Sequence, residues 1–209
     1  VIEVVSVIGG GWSLGMLSPE ERERIPGHRI GVNDSFLHLG CDEGVTMDRL
    51  WTENRWRECE LIARPLSVRD TALRNIKAQP LWLTAFACDH DTDRMSDIRG
   101  TYNGRNSGAC AINVAFQMKP RFIILWGFDM CRSPKGEPYW YPVYPWSRCR
   151  EGNTPPRVYQ DWSAGFRIIA AQCAEAGISV INASPVSAIT TITKVDPCKL
   201  LMPTTSRSA

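Results

Sequence analysis

The chain has 209 residues, 44% hydrophobic and 22% charged, which suits one α/β domain and excludes a disordered or fibrous chain. Its formal net charge of +2, from 24 basic against 22 acidic side chains, gives no electrostatic footing for wholesale nucleic-acid binding. No apolar run approaches the ~18 residues of a membrane span.

Glu3 to Ile8 is short and rich in β-branched residues, and Gly9-Gly10-Gly11 ends it, so it reads as a buried strand. It lacks the basic start of a signal peptide, which points to a cytoplasmic protein. Ser18-Pro19-Glu20-Glu21 reads as a helix start: a capping serine, a proline suited to the first turn, then acids. Arg29 to Asn33 is a second strand, with a short helix from Asp34 to Leu39. Val45 to Trp51 is a third candidate strand, and Asn54 to Ala63 a helix. Leu81 to Phe86 is a fourth strand.

Asn106-Ser107-Gly108 then opens the strongest helical stretch, Ala109 to Met118, which Pro120 closes. Phe122 to Trp126 is a continuous apolar strand ending in Gly127. Residues 129–158 break the pattern with prolines, glycines and aromatics and read as a long loop or lid. Tyr159 to Gly177 is helical and Ile178 to Asn182 the last strand. Strands alternating with helices predict a mainly parallel, Rossmann-like sheet in a three-layer α/β sandwich. The expected organisation is one domain over residues 1–199, with the lid-like insertion at 129–158 and a flexible polar tail at 200–209.

The eight cysteines include no C-x-x-C pair, and the histidines are only His28, His38 and His90. Zinc ligands would have to be gathered from scattered positions, so buried, reduced thiols are expected.

In parallel sheets of this kind ligands bind beyond the carboxyl ends of the strands. Gly9, Gly10 and Gly11 allow close backbone approach to phosphate oxygens, and Ser13 adds a hydroxyl; a plain tight turn reads as well. The run is neither a Walker loop nor G-x-G-x-x-G. Asn33 offers a donor and an acceptor to a base or ribose, while Asn33 or Asp34 also suits a helix cap. Asn106, Ser107 and Gly108 stand at a helix N-terminus, which favours an anion or a plain cap. Asp129 brings a carboxylate to the same edge, as a base, a metal ligand or a turn cap. Asp89, Asp91, Asp93 and Asp97 lack the glycine and terminal glutamate of an EF-hand loop and read as a solvated loop. The aromatic, basic segment with Tyr139, Trp140, Tyr141, Tyr144 and Trp146 suits gating over an anionic ligand or an interface.

The order of these motifs resembles one superfamily: G-x-G-x-S-L from Gly9 to Leu14, a strand ending in Asn33, x-S-G from Asn106 to Gly108, and G-x-D from Gly127 to Asp129. It contains the bacterial sialyltransferases of glycosyltransferase family 42 and the 6-hydroxymethylpterin pyrophosphokinase-like proteins. Small members carried by phage and prophage genomes look like this chain, and the resemblance spans roughly residues 2–190. It implies that Gly9, Gly11, Ser13, Asn33, Ser107 and Gly108 contact a nucleotide, with Gly10 and Asn106 completing the two junctions. Lid tyrosines Tyr139, Tyr141 or Tyr144 would reach the donor phosphate. The sialyltransferases use a histidine in or after the lid as base; here no histidine follows His90, and Trp12 replaces the usual proline.

The expected function is therefore a nucleotide-binding, glycosyltransferase-like transferase acting on a nucleotide sugar or related donor. Asp129, or a carboxylate of the 89–97 run, would be base or metal ligand. The alternatives are Mg²⁺-dependent pyrophosphoryl transfer from ATP, which needs a carboxylate pair near the phosphates, and a non-catalytic phage accessory protein. An oligomer is left open.

Overall fold

The structure is a computed structural model that describes residues 2–76, 80–89, 91–144 and 156–201. Its strands are β1 (Val4–Ile8), β2 (His28–Val32), β3 (Glu43–Thr46), β4 (Leu66–Arg69), β5 (Leu83–Phe86), β6 (Phe122–Trp126), β7 (Ser179–Asn182) and β8 (Thr193–Lys194). The helices are α1 (Pro19–Glu23), α2 (Asp34–His38), α3 (Arg49–Ile62), α4 (Ser107–Gln117), α5 (Pro156–Glu175) and α6 (Pro197–Leu201).

The strands form one sheet in the order β5-β4-β3-β2-β1-β6-β7-β8, with every pairing parallel. The period of two in β1 and β6 builds both faces. Val5, Val7, Ile123 and Leu125 pack into one core with α4 and α5, through Ile112, Ala115, Phe166 and Cys173. Ile8, Ile124 and Trp126 enter a second core with Phe36 of α2 and Trp51 and Cys59 of α3. Burial on both faces is why these strands read as continuous apolar runs. The three-layer α/β sandwich is the expected one.

From β1 the chain builds outward to β5, then α4 carries it back under β3, β2 and β1 to β6. Ser107 to Phe116 of α4 are all buried. The reversal of strand order falls between β1 and β6, and a crevice at their carboxyl ends is the general ligand position of such sheets.

Several boundaries differ from expectation. The third strand ends at Thr46, because Asp48 accepts the Trp51 N–H at 3.2 Å and starts α3 at Arg49. β4 and β8 were unforeseen: four and two residues with polar members carry too little pattern. The last helix of the main body begins at Pro156, so 156–158 belong to α5 rather than to a lid. Residues 129–144 form the expected irregular excursion, and 145–155 lie outside the described residues. The tail does not begin at 200: α6 runs to Leu201, which is buried in the second core, and 202–209 lie outside the described residues.

Candidate functional site

The expected site residues collect along the carboxyl edge of the sheet. Gly9 follows β1, Asn33 follows β2, Gly127 to Asp129 follow β6, and the start of α4 is tied to the residue after β3. Each junction is built differently from a bare turn.

The glycine run is shaped by the neighbouring chain. Gly9 N–H donates to the Trp126 carbonyl at 2.7 Å and Gly11 N–H to the Gly127 carbonyl at 2.8 Å. A Cβ on Gly9 would stand 2.8 Å from the Gly127 oxygen, and one on Gly11 would meet that oxygen and the Asp129 carboxylate. The glycines let the ends of β1 and β6 touch. Asp129 is 2% exposed; its Oδ2 accepts the Ser13 N–H at 2.7 Å and its Oδ1 the Ser13 hydroxyl at 2.5 Å. Ser184, after β7, lies 3.3 Å from the same hydroxyl. Burial pushes the Asp129 carboxyl above the ordinary aspartate value, against the bonds from Ser13.

At the end of β2, Asn33 has φ 52° and ψ −124°, a conformation that side-chain-bearing residues rarely adopt. Its side chain makes no cap bond to α2, and its buried Oδ1 has no hydrogen-bond partner among the described residues. Asp34 is 1% exposed. Its Oδ1 accepts the Trp51 indole N–H at 3.0 Å and lies 3.4 Å from the Arg55 guanidinium, whereas its buried Oδ2 has no partner among the described residues. Burial raises its pKa, opposed by Trp51 and Arg55. Sequence reasoning saw Asp34 only as a cap; its burial beside Trp51 and Arg55 depends on packing against α3, which no local pattern reveals.

At α4, Asn106 is the cap, accepting the Ala109 N–H at 3.0 Å. The Ser107 hydroxyl oxygen accepts the Met47 N–H at 3.1 Å, joining α4 to the end of β3. A Cβ on Gly108 would stand 2.8 Å from the Phe128 ring, so helix and β6 end meet closely there.

The segment 139–144 is a strap over the glycine run. Trp140 N–H donates to the Gly10 carbonyl at 3.2 Å, and Gly11 and Tyr139 form an antiparallel bridge. Tyr139 and Tyr141 stack with centroids 5.1 Å apart, and Tyr144 stacks within 6.3 Å of both. A Cβ on Gly10 would come within 2.7 Å of the Tyr141 hydroxyl. Burial drives the Tyr141 pKa well above the ordinary tyrosine value, with Tyr144 and Asp34 adding to it. The Trp140 indole reaches the Ser35 hydroxyl at 3.3 Å, which itself donates to the Gly9 carbonyl at 2.7 Å. A cleft of about 1010 Å³ opens between Trp12, Gly15 and Met16 and residues 132–143, which include the strap itself.

The acidic run does not gather. Asp93 pairs with Arg105 at 3.1 Å, and the carbonyls of Ser96, Ile98 and Thr101 are held by Gln117. Among the described residues no three His, Cys, Asp or Glu side chains come together as metal ligands. No described helix is long and apolar enough to cross a membrane.

No protein-family model and no curated protein matches the sequence. Among solved structures, the chain is similar to the MAf glycosyltransferase from Magnetospirillum magneticum AMB-1, with a TM-score of 0.63 and 12% identity. The match covers 95% of this chain and 34% of that one, so this chain spans about a third of its length. At that identity the likeness establishes a shared fold.

Proposed function

We propose that the chain is a nucleotide-binding transferase of glycosyltransferase type, acting on a nucleotide sugar or related activated donor at the carboxyl edge of β1, β2 and α4. One observation carries the reading. Two adjacent residues, Asn33 and Asp34, hold buried acceptor oxygens without donors among the described residues, beside a strained backbone at that edge. Unsatisfied buried acceptors are costly, and strain of this kind collects where ligands bind. A fold shared with a glycosyltransferase supports the reading at the level of architecture.

In this reading Asn33 Oδ1 accepts from a hydroxyl or amino group of the nucleoside. Ser107 accepts from Met47 through its oxygen and still has its own proton to donate to a phosphate. Asp129 positions the glycine turn rather than reacting, because Ser13 engages both of its oxygens. The base is Asp34: Trp51 and Arg55 orient its carboxylate, Oδ2 remains available, and burial makes it a stronger base than an ordinary aspartate. The tyrosines of the strap shift aside to admit the donor and close over it.

Thermal-shift titration tests this with cytidine, uridine, guanosine and adenosine nucleotides and their sugar conjugates, with and without Mg²⁺. A bound nucleotide at a hundredfold excess over Kd stabilises by ~2.7 kcal/mol. Shifts from a nucleotide sugar that fall to roughly half in Asn33→Ala support the reading. Shifts confined to ATP with Mg²⁺ favour pyrophosphoryl transfer, and no shift with any of them overturns nucleotide binding.

A further inference from the structure

Away from the carboxyl edge of β1, two sulfurs meet. Cys88, two residues beyond β5, has its Sγ 3.8 Å from that of Cys110 in the first turn of α4. Among the described residues no other pair of cysteine sulfurs is in contact. Both lie against one backbone stretch: Cys110 donates to the Tyr102 carbonyl at 3.3 Å, and the Gly104 carbonyl is 3.5 Å from Cys88 and 3.9 Å from Cys110. Cys110 is fully buried and Cys88 half-buried. The pair is therefore asymmetric, with Cys88 partly exposed and Cys110 enclosed.

We propose that Cys88 and Cys110 are a redox modification site, in which a hydroperoxide converts the two thiols to a reversible disulfide. Cys88, as its thiolate, attacks the near oxygen of the peroxide and breaks the O–O bond; the far oxygen leaves as water, and Cys88 becomes a sulfenic acid. The Cys110 sulfur then attacks the Cys88 sulfur. The S–O bond breaks, the Cys110 proton leaves with the departing hydroxide as a second water, and the S–S bond forms. Two thiols are oxidised and one peroxide is reduced. The adjacent Cys88 sulfur and burial raise the Cys110 pKa, which makes Cys110 a poor first nucleophile toward peroxide.

The cross-link would join the segment after β5 to the helix that begins at Ser107. That segment already lies on α4, where Asn113 bonds the Ser96 and Asn103 N–H groups at 2.9 Å each. Closing a loop of this size restricts the unfolded chain and raises the melting temperature.

The test is peptide mapping of the whole protein after brief treatment with equimolar hydrogen peroxide, with alkylation under denaturing conditions. The expected result is loss of two of the eight thiols, a Cys88–Cys110 cross-linked peptide, a raised melting temperature, and full return on dithiothreitol. Cys110→Ser should leave a sulfenic acid at Cys88 that dimedone traps, and Cys88→Ser should leave Cys110 reduced. If exposed Cys198 is consumed while Cys88 and Cys110 stay reduced, the proposal fails. It also fails if wild-type Cys88 proceeds to a sulfinic acid without cross-linking.

Discussion

Asp129 holds Ser13 by two bonds at once, one to its amide and one to its hydroxyl, across 116 residues of chain. The carboxylate sits at the start of the short 3₁₀ turn Trp12–Met16, where an external anion would otherwise find N–H groups. The glycine turn thus carries its own internal anion, and its phosphate-nest appearance in the sequence is used up by the protein.

This arrangement separates two substitutions. Asp129→Ala leaves a buried amide and hydroxyl of Ser13 without their acceptor and is expected to cost about 3 kcal/mol. Asp129→Asn keeps one acceptor for the amide, while its own N–H₂ can donate to the Ser13 oxygen, so most of the stability returns. Urea denaturation of both variants checks this. Equal losses would show that charge, not hydrogen-bond geometry, holds the turn.

At α4 the cap and the Ser107 hydroxyl carry separate costs. Asn106→Ala should cost ~1 kcal/mol through loss of the cap. Ser107→Ala should cost about 1–3 kcal/mol, because it strands the Met47 N–H in a half-buried setting. It should also weaken nucleotide affinity roughly tenfold or more if the hydroxyl proton meets a phosphate. Melting and affinity measured together separate the two effects; a Ser107→Ala protein as stable as wild type would contradict the Met47 contact.

Much of this was legible in the sequence, for a physical reason. β1, β6 and β7 lie inside the sheet and are apolar on one or both faces, so their short hydrophobic runs ended by glycine or asparagine announce strands and place their carboxyl ends. β4, with Ser67 and Arg69 among its four residues, has no such run. The residues of the edge are legible because they follow directly on those apolar runs. Their contacts are not, because they depend on pairs such as Ser107 with Met47 and Asp34 with Trp51, which only the packing of helices on the sheet brings together.

The two buried aspartates give a pH dependence with a definite sign. Asp34 and Asp129 both have pKa values raised by burial, so the folded state holds their protons more tightly than the unfolded chain does. Stability from each is complete below the ordinary aspartate value and is lost as pH rises through the raised value. Asp34→Asn removes one of these contributions. Denaturation of wild type and Asp34→Asn from about pH 3.5 to 7 should show wild type losing stability relative to the variant as pH rises. The opposite slope would mean that Trp51 and Arg55 outweigh burial and hold the carboxylate ionised.

Asn33 gives the sharpest separation of structure from function. With φ 52° and ψ −124° its backbone is in a region that glycine enters freely and that costs other residues about 1–3 kcal/mol. Its side chain offers nothing in return within the described residues, since it neither caps α2 nor finds a donor for Oδ1. Glycine at this position therefore relieves strain and removes a buried, unsatisfied acceptor. Against that stands the greater freedom of glycine in the unfolded chain, worth up to about 1 kcal/mol. The net expectation for Asn33→Gly is unchanged or raised stability. Ligand binding should move the other way: if Asn33 Oδ1 accepts from the nucleoside, its loss weakens nucleotide affinity by roughly tenfold. Asn33→Ala keeps the strain, loses the acceptor, and should fall below Asn33→Gly in stability while matching it in affinity. Melting temperatures and nucleotide titrations of the two variants read both quantities. A destabilised Asn33→Gly protein with wild-type affinity would make Asn33 a structural residue and remove it from the site.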